Sequence, residues 1–403
     1  MKQNLVFIKS PKSFIIKNVH FLFLLFFPAF LCTTTAQPPF GVAPQVQLPG
    51  IAPETNINPN GYPRVLPDMS AIFSIKVPDA QHIEVHVGIG HHYDMKKADD
   101  GVWTVTTDPL VPGFHYYSLV VDGVSFSDPA SESFYGGGRM SSAIDIPEKD
   151  CDFYEIKNVP HGVIRSGNYY SKVTRSWRPV NIYTPPGYDK ETGKKYPVLY
   201  IQHGGGEDHR GWAIQGKTAT ILDNLIAEGK AREMIVVIAN GNLGRGGYNK
   251  KGMEPFIEEM IDNIIPYIES NYRTLTDQKH RAIAGLSMGG GQSFYAGLQN
   301  TAVFGSVGIF SSGLFGGIAL QGAPAFNAED EIPGLLSGAK SFNQQLQLLY
   351  ISVGEQDVRL EATQKQIEIF KKYGLNVTFA TFPGDHEWQV WRKSLHDFAS
   401  RLF

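Results

Sequence analysis

From residue 151 onward, the chain alternates continuous apolar runs with segments whose apolar residues recur at helical spacing. The runs "YPVLYIQH" and "MIVVIANG" are almost entirely apolar, as strands buried on both faces of a sheet are. Between later runs, four isoleucines recur at the spacing of one helix face: Ile257, Ile261, Ile264 and Ile268. Because such alternation is typical of helices covering a mostly parallel sheet, residues 151–403 are predicted to form an α/β domain.

Before residue 151 the apolar residues follow a period of two. Short alternating runs such as "HIEVHVG" and "GVWTVTT" are separated by Pro-Asp, Asp-Gly and Pro-Gly turns. Several short strands at this spacing are typical of a small all-β sandwich, which we predict over residues 65–150. Residues 37–64 are rich in proline, glycine and asparagine and are predicted to be a linker.

The first 36 residues are predicted to be a cleaved secretory signal peptide. Lysines precede the apolar stretch "FLFLLFFPAFL", and the small residues Thr34 and Ala36 follow it. This stretch is much shorter than the roughly 20 residues that a membrane-spanning helix needs. Cys32 lacks the small residue expected just before a lipoprotein cysteine. We therefore expect a secreted or periplasmic protein in preference to a lipid-anchored one.

Composition excludes some classes of function. The formal net charge is −3, and no long basic run follows the predicted signal, which argues against a nucleic-acid partner. Once Cys32 is removed with the signal, Cys151 is the only cysteine left, so an intramolecular disulfide is excluded. Asp150 and Asp152 flank Cys151, and their charge disfavours the reactive thiolate form.

The segment "IAGLSMGGGQ" ends a predicted strand on a serine. Gly285 and Gly289 flank Ser287 in the pattern G-x-S-x-G, which is typical of a tight strand-to-helix turn that exposes a serine hydroxyl. A glycine-rich turn without function would have the same pattern. The other strand ends therefore decide between these two interpretations.

Polar residues follow three further predicted strands, at the sheet edge where α/β proteins carry their sites. A glycine run follows "YPVLYIQH", Asp357 follows "LQLLYISVG", and His386 follows "NVTFATFPG". The order Ser, Asp, His along the chain is that of α/β-hydrolases. We prefer Asp357 over Glu355 as the acid, because the acid loop must reach back to the histidine.

These residues predict a serine nucleophile with its base, acid and oxyanion donors. His386 would take the proton of Ser287, and Asp357 would orient the imidazole and offset its charge. The backbone N–H groups of Gly205 and Met288 are candidates for the oxyanion hole. Such a site needs no metal ion or organic cofactor, and we predict none.

Four residues near these loops are candidates for substrate contacts: Trp212, Asn242, Arg245 and Trp388. For the two tryptophans, packing against the sheet is the alternative. The segment "GHHYDM" contains His91, His92 and Asp94, and we interpret these as solvated surface residues in preference to metal ligands.

The motifs "HGGGED", "GLSMGGGQS", "SVGEQD" and "GDHEWQVWR" resemble those of carbohydrate esterase family one, the esterase D-like group of α/β-hydrolases. The resemblance covers residues 151–403. It implies Ser287, Asp357 and His386 as nucleophile, acid and base, with Gly205 and Met288 as oxyanion donors. The segment from about 65 to 145 resembles the immunoglobulin-like domain that precedes such esterases and glycogen-branching enzymes.

From the resemblance we expect a secreted serine esterase that releases ferulate or related hydroxycinnamates from arabinoxylan, with plant cell-wall polysaccharide as its partner. An acetylxylan esterase would use the same machinery, and a siderophore trilactone esterase is a further alternative. A carbohydrate-binding protein with an inactive hydrolase domain belongs to another class of function. The acyl group, the polysaccharide and the oligomeric state are left open.

Overall fold

The computed structural model describes residues 47–88, 90–244, 249–316 and 326–403. The predicted signal peptide and the start of the predicted linker lie outside these ranges. Residues 48–403 form one compact unit. Within the described ranges, no helix has both the length and the apolar character needed to cross a membrane.

In the described residues, the strands between 64 and 146 form two antiparallel sheets. The first has the order β1-β2-β6-β5, and the second has the order β4-β3-β7-β10-β9 with β8 paired to β7. The strands are β1 (Arg64–Val65), β2 (Ala71–Lys76), β3 (Ile83–Val87), β4 (His91–Asp94), β5 (Lys96–Lys97), β6 (Val102–Thr106), β7 (Gly113–Val121), β8 (Val124–Phe126), β9 (Ser133–Gly136) and β10 (Arg139–Ile146).

These two sheets share one apolar core and form a sandwich, called here the N-terminal sandwich. Ile83, Val85 and Val87 point inward from β3, as the alternating pattern predicts. Phe73 and Trp103 enter the same core from the other sheet.

The described part of the predicted linker packs against this sandwich. Ile51 forms an antiparallel bridge with Val65, and Asn56 forms one with Ser131. The proline and glycine content predicts a linker. Two of its backbone N–H groups, those of Ile51 and Ile57, donate to the carbonyl oxygens of Val65 and Ala130 in the sandwich.

The remaining strands build one sheet in the order β11-β12-β14-β13-β15-β16-β17-β18. The pair β11 and β12 is antiparallel, β12 runs antiparallel to β14, and the pairs from β14 to β18 are parallel. The strands are β11 (Val163–Ser171), β12 (Ser176–Thr184), β13 (Val198–Gln202), β14 (Ile235–Ala239), β15 (Arg281–Leu286), β16 (Ser306–Phe310), β17 (Leu348–Gly354) and β18 (Thr378–Phe382).

Helices cover both faces of this sheet, as predicted. Along β13, Leu199 and Ile201 belong to one apolar core, whereas Val198 and Tyr200 belong to the core on the opposite face. The helices are α1 (Thr218–Ala227), α2 (Lys250–Glu259), α3 (Ile265–Asn271), α4 (Met288–Gln299), α5 (Ala328–Glu331), α6 (Ala339–Gln345), α7 (Leu360–Lys372) and α8 (Trp388–Ala399).

The helix predicted around the four isoleucines begins earlier than its apolar pattern suggested. It starts at Lys250, because the side chain of Asn249 accepts a hydrogen bond from the Gly252 N–H and caps the helix. A π-helical turn, Met260–Ile264, separates α2 from α3.

The N-terminal sandwich and the large sheet share buried residues. Phe114 and Phe134 of the sandwich belong to the same apolar cluster as Trp388 of α8. Arg392 is buried at this boundary, where its Nε donates to the Gln215 carbonyl oxygen at 2.8 Å. The sandwich is therefore packed directly against the helix that follows His386.

A buried charged group fastens the β11–β12 hairpin to α2. The carboxylate of Glu259 accepts hydrogen bonds from Tyr169 Oη at 2.7 Å and Ser171 Oγ at 2.6 Å. Arg178 Nε lies 3.4 Å from the same carboxylate, and both charged side chains are largely buried. The inner face of the hairpin is therefore fixed by a polar cluster.

Replacing Glu259 with alanine is expected to lower the free energy of unfolding by about 3–5 kcal/mol, because the Arg178 charge would remain buried without its partner. Glu361→Ala is the matched control, since it removes an exposed pair with Lys365 on α7 and should leave stability almost unchanged. Urea denaturation of both variants measures the difference. Equal effects would contradict this role for Glu259.

Candidate active site

Ser287 lies at the turn between β15 and α4, in a backbone conformation that residues other than glycine rarely adopt. Its φ is 51° and its ψ is −111°, a strain of about 1–3 kcal/mol that the surrounding structure must hold. A Cβ at Gly289 would lie 2.5 Å from the carbonyl oxygen of Gln202, and one at Gly285 would lie 2.4 Å from that of Gly289. Both glycines of G-x-S-x-G are therefore required for close backbone packing.

His386 and Asp357, which follow neighbouring strands, are brought together with Ser287. His386 Nε2 lies 3.0 Å from Ser287 Oγ, and His386 Nδ1 lies 2.8 Å from Asp357 Oδ2. Because a carboxylate only accepts, Nδ1 carries the proton and Nε2 is left to accept the serine hydroxyl. The three side chains form one hydrogen-bonded line.

Asp357 is held in its ionised form. Its side chain is fully buried, and Oδ1 accepts hydrogen bonds from the backbone N–H of Arg359 at 3.0 Å and the guanidinium of Arg359 at 2.8 Å. Burial opposes ionisation, yet the hydrogen bonds from His386 and Arg359 hold the pKa of Asp357 below its ordinary value. A negative charge therefore faces the imidazole.

Within the described ranges, the neighbouring carboxylates of Glu355 and Asp385 form no hydrogen bond with the His386 ring. The exposed Glu355 accepts a long bond of 3.4 Å from Thr381 Oγ1. Asp385 accepts the backbone N–H of His386 at 2.7 Å. Asp357 is the acid that the geometry joins to the imidazole.

The glycine loop after β13 lies beside the serine. A Cβ added at Gly204 would be 3.5 Å from the Cβ of Ser287, whereas one added at Gly205 would meet no atom within 4 Å. Within the described ranges, the N–H groups of Gly205 and Met288 donate no hydrogen bond. Both donors are therefore available to a ligand next to the hydroxyl.

The imidazole of His203 hydrogen-bonds to the backbone of this loop and to the segment that follows β14. Its Nδ1 lies 2.7 Å from the Gly204 carbonyl oxygen, and its Nε2 accepts the Gly241 N–H at 3.0 Å. Burial lowers the pKa of His203, so the ring is neutral and its single proton is donated to Gly204. The ring is used in positioning the backbone and is not free to act as a base.

A buried carboxylate that the sequence analysis did not single out follows the glycine run. Glu207 accepts hydrogen bonds from Trp388 Nε1 at 3.0 Å, Tyr116 Oη at 3.1 Å and the Gly204 N–H at 3.3 Å. Burial raises the pKa of Glu207 to about 7 despite these donors. The position of Glu207 after three glycines was the only local signal, because Tyr116 comes from the N-terminal sandwich.

The sandwich also reaches the two loops that carry candidate site residues. Gly138 N–H donates to the Gly206 carbonyl oxygen at 2.8 Å. His115 Nδ1 lies 2.9 Å from Glu387 Oε1, and His115 Nε2 lies 2.6 Å from the Val111 carbonyl oxygen. Both partners only accept, so both ring nitrogens donate. Burial would lower the pKa of His115, but the hydrogen bond and charge of Glu387 raise it.

The predicted substrate contacts need correction at both tryptophans. Trp212 is fully buried and donates Nε1–H to the Gln202 carbonyl oxygen at 2.8 Å. Trp388 is 1% exposed and is bound to Glu207, so neither ring offers a surface to substrate. Asn242 is exposed, and its side chain accepts the Gly244 N–H. Arg245 lies outside the described residues.

Two groups of side chains on β3, on β4 and directly before β3 have the composition of metal ligands: Glu84, His86 and His92, and His82, Glu84 and Asp94. The rings of His86 and His92 are stacked at 3.7 Å with an interplanar angle of 3°. A bound ion lies in the plane of each ring that coordinates it, which parallel rings do not allow. His82 directs its two nitrogens to different carboxylates. The hydrogen bonds within these groups join His86 to Glu84 and His82 to Asp94.

Comparison with known proteins identifies esterases. A model of the family described as "Putative esterase" matches residues 171–402. An endo-1,4-beta-xylanase/feruloyl esterase of Xylanibacter ruminicola is 36% identical over 353 residues, which cover 85% of this chain and 46% of that protein. The chain thus spans less than half of the length of this curated relative.

Two solved structures resemble the chain, one at higher sequence identity and the other over more of its length. A CE1 ferulic acid esterase from Anaeromyces mucronatus, solved in complex with ferulic acid, is 27% identical, with a TM-score of 0.54 over 63% of this chain and 96% of that one. The enterochelin esterase of Shigella flexneri covers 84% of this chain and 94% of its own, with a TM-score of 0.63 at 17% identity. At that identity the second likeness concerns the fold alone. Together they identify an α/β-hydrolase fold.

The buried Glu207 predicts a pH-dependent stability. Its pKa of about 7 in the folded state exceeds the value of about 4.3 in an unfolded chain, so the folded state binds the proton more tightly. The free energy of unfolding is therefore greatest below that lower value and falls as the pH rises to neutrality. Relative to Glu207→Gln, which cannot ionise, the parent should lose about 3 kcal/mol between pH 4 and pH 8.

Urea denaturation across this pH range measures the difference between the parent and Glu207→Gln. The exposed Glu368, replaced by glutamine, controls for the general loss of one carboxyl group. Stability curves of parent and Glu207→Gln that run parallel from pH 4 to pH 8 would contradict the role of burial at Glu207.

Proposed function

Because the chain belongs to the putative esterase family, we propose that it is a serine carboxylic-ester hydrolase whose reaction takes place at Ser287. One observation carries this proposal: the line of hydrogen bonds from Ser287 Oγ through the imidazole of His386 to Asp357. A serine hydroxyl is a weak nucleophile by itself, and this line supplies the base that activates it.

In the proposed reaction, the Ser287 hydroxyl gives its proton to His386 Nε2 as its oxygen attacks the ester carbonyl. The negative charge that develops on the carbonyl oxygen is stabilised by the N–H groups of Gly205 and Met288. His386 then returns the proton to the departing alcohol, leaving an acyl group on Ser287. Water activated by His386 releases the acid, and the Asp357 charge stabilises the imidazolium at each stage. None of these steps requires a metal ion or organic cofactor.

We propose feruloyl esters of arabinoxylan as the substrate and plant cell-wall polysaccharide as the partner. The names of the Xylanibacter relative and of the Anaeromyces structure support this substrate class. Such a substrate lies outside the cell, in agreement with the secretion that the first 36 residues predict. Acetylated xylan and a siderophore trilactone are alternatives for the same machinery, and the assays below separate them.

For the N-terminal sandwich we propose an immunoglobulin-like domain over residues 65–150 that supports the active-site loops. Its contacts with Gly206, Glu207 and Glu387 favour this role. Trp103, the tryptophan of this sandwich, is buried in its core and offers no surface to a sugar ring.

Ser287→Ala is expected to lower kcat for methyl ferulate by about 10⁴-fold or more, because the acyl acceptor is lost. Asp357→Asn should lower kcat by about 10⁴-fold because the imidazole would adopt the wrong tautomer. Glu355→Gln changes an acid outside the line of hydrogen bonds and should retain activity.

Release of ferulate, aryl acetate and trilactone products is measured with the same preparations. Acetate release alone would favour the acetylxylan alternative, and trilactone cleavage alone would favour the siderophore one. Cleavage of no ester by the parent would contradict the proposal.

Gly205→Ala tests the oxyanion hole without disturbing the fold. The added methyl group meets no protein atom within 4 Å but enters the space next to the candidate donor, so kcat/KM for methyl ferulate should fall by about 10- to 100-fold. Gly193→Ala is the matched control, because its Cβ also meets no atom of the described residues within 4 Å and its turn precedes β13, at the end of that strand opposite to the glycine loop. Thermal unfolding should be unchanged in both variants. Full activity in Gly205→Ala would exclude this loop from the oxyanion hole.

A further inference from the structure

Two aromatic side chains are exposed together near the tip of the β11–β12 hairpin. Tyr170 and Trp177 are directly paired across the two strands, with ring centroids 5.8 Å apart in an edge-to-face arrangement. Tyr170 is 50% exposed and Trp177 is 71% exposed. A cross-strand contact stabilises a hairpin only modestly, and it leaves most of this apolar surface in water. Large apolar side chains exposed together are typical of binding surfaces.

The hairpin holds this pair in a fixed orientation. Side chains alternate between the faces of a strand, so Tyr169 and Arg178 point inward to Glu259 while their neighbours Tyr170 and Trp177 point outward. Arg178 Nη2 also donates to the carbonyl oxygen of Asn240 at 2.6 Å. The aromatic pair therefore requires little ordering when it binds a ligand.

The sheet register brings this pair to the same edge as Ser287. One row of neighbouring residues crosses four adjacent strands: Asn181, Ile238, Ile201 and Ala284. Trp177 lies four residues beyond this row on β12, and Ser287 lies three residues beyond it after β15, on the same side. Three strand spacings separate them, which is roughly 14 Å.

Trp177 also lies on the face of the sheet that carries the glycine loop. Asn181 shares its side of β12 and donates from Nδ2 to the His209 carbonyl oxygen at 2.9 Å. His209 belongs to the loop that follows Gly205 and Glu207. A ligand extending from Ser287 along this edge would thus reach the hairpin without crossing the sheet.

We propose that Tyr170 and Trp177 form a binding site for pyranose rings of a polysaccharide chain whose ester lies at Ser287. This inference rests on the proposed function. The apolar faces of sugar rings stack on exposed aromatic rings, and the exposed Asn168 and Ser176 nearby supply groups for sugar hydroxyls. The separation from Ser287 suits an oligosaccharide and exceeds the reach of a single acyl group.

Binding is measured first, in a full-length chain carrying Ser287→Ala so that no ester is cleaved. Affinity electrophoresis in gels containing wheat arabinoxylan should show that Trp177→Ala raises the apparent Kd by about tenfold, as expected of a tryptophan in a binding surface. Trp177→Phe should retain most of the affinity. Tyr373→Ala is the matched control, because Tyr373 is 52% exposed but follows α7 at the opposite edge of the sheet. Equal affinity of Trp177→Ala and its parent would overturn the proposal.

Kinetics then separate this site from the ester-cleaving one. Trp177→Ala in the active chain should raise KM for feruloylated arabinoxylan about tenfold and leave kcat/KM for methyl ferulate unchanged. Equal losses on both substrates would overturn a sugar site. If the parent cleaved neither substrate, the proposed function would fail, whereas loss of arabinoxylan affinity in Trp177→Ala would still support the binding site.

Discussion

The backbone packs in direct contact at Gly285 and Gly289, on either side of Ser287, and this close packing sets the geometry of the whole candidate site. Gly285 and Gly289 leave no room for a Cβ, which lets the chain turn from β15 into α4 with φ of 51° at the serine. The turn sends the hydroxyl toward His386 and leaves the Met288 N–H at the start of a helix without an intrahelical partner. One strained residue thus links the nucleophile to a candidate oxyanion donor.

The site also depends on the positions of the loops that follow β13, β17 and β18, which come from distant parts of the chain. Glu207 joins the glycine loop to α8 through Trp388 and to the N-terminal sandwich through Tyr116. The sandwich contacts the histidine loop through the pair of His115 and Glu387. These largely buried hydrogen bonds connect the sandwich to both loops.

The sequence predicted the large sheet well because each buried strand is a continuous apolar run and each helix has one apolar face. It was less informative where burial depends on distant partners. Trp212 and Trp388 follow strand ends just as substrate-contacting residues would, yet both are buried in the apolar cluster that includes Phe114 and Phe134 of the sandwich. Residues 48–64 have the composition of a linker, and two of them, Ile51 and Asn56, form bridges with Val65 and Ser131. In both cases the partner comes from another part of the chain.

By itself, the sequence determined the class of the fold, the order of serine, acid and histidine along the chain, and the strand end that each follows. These are local properties, because periodicity and turn residues act over a few positions. Only the tertiary structure decided that Asp357 contacts the imidazole, that His203 is used in holding Gly204, and that Glu207 is buried with a raised pKa. Distances, burial and electrostatics arise between residues far apart in sequence, so no local pattern could contain them.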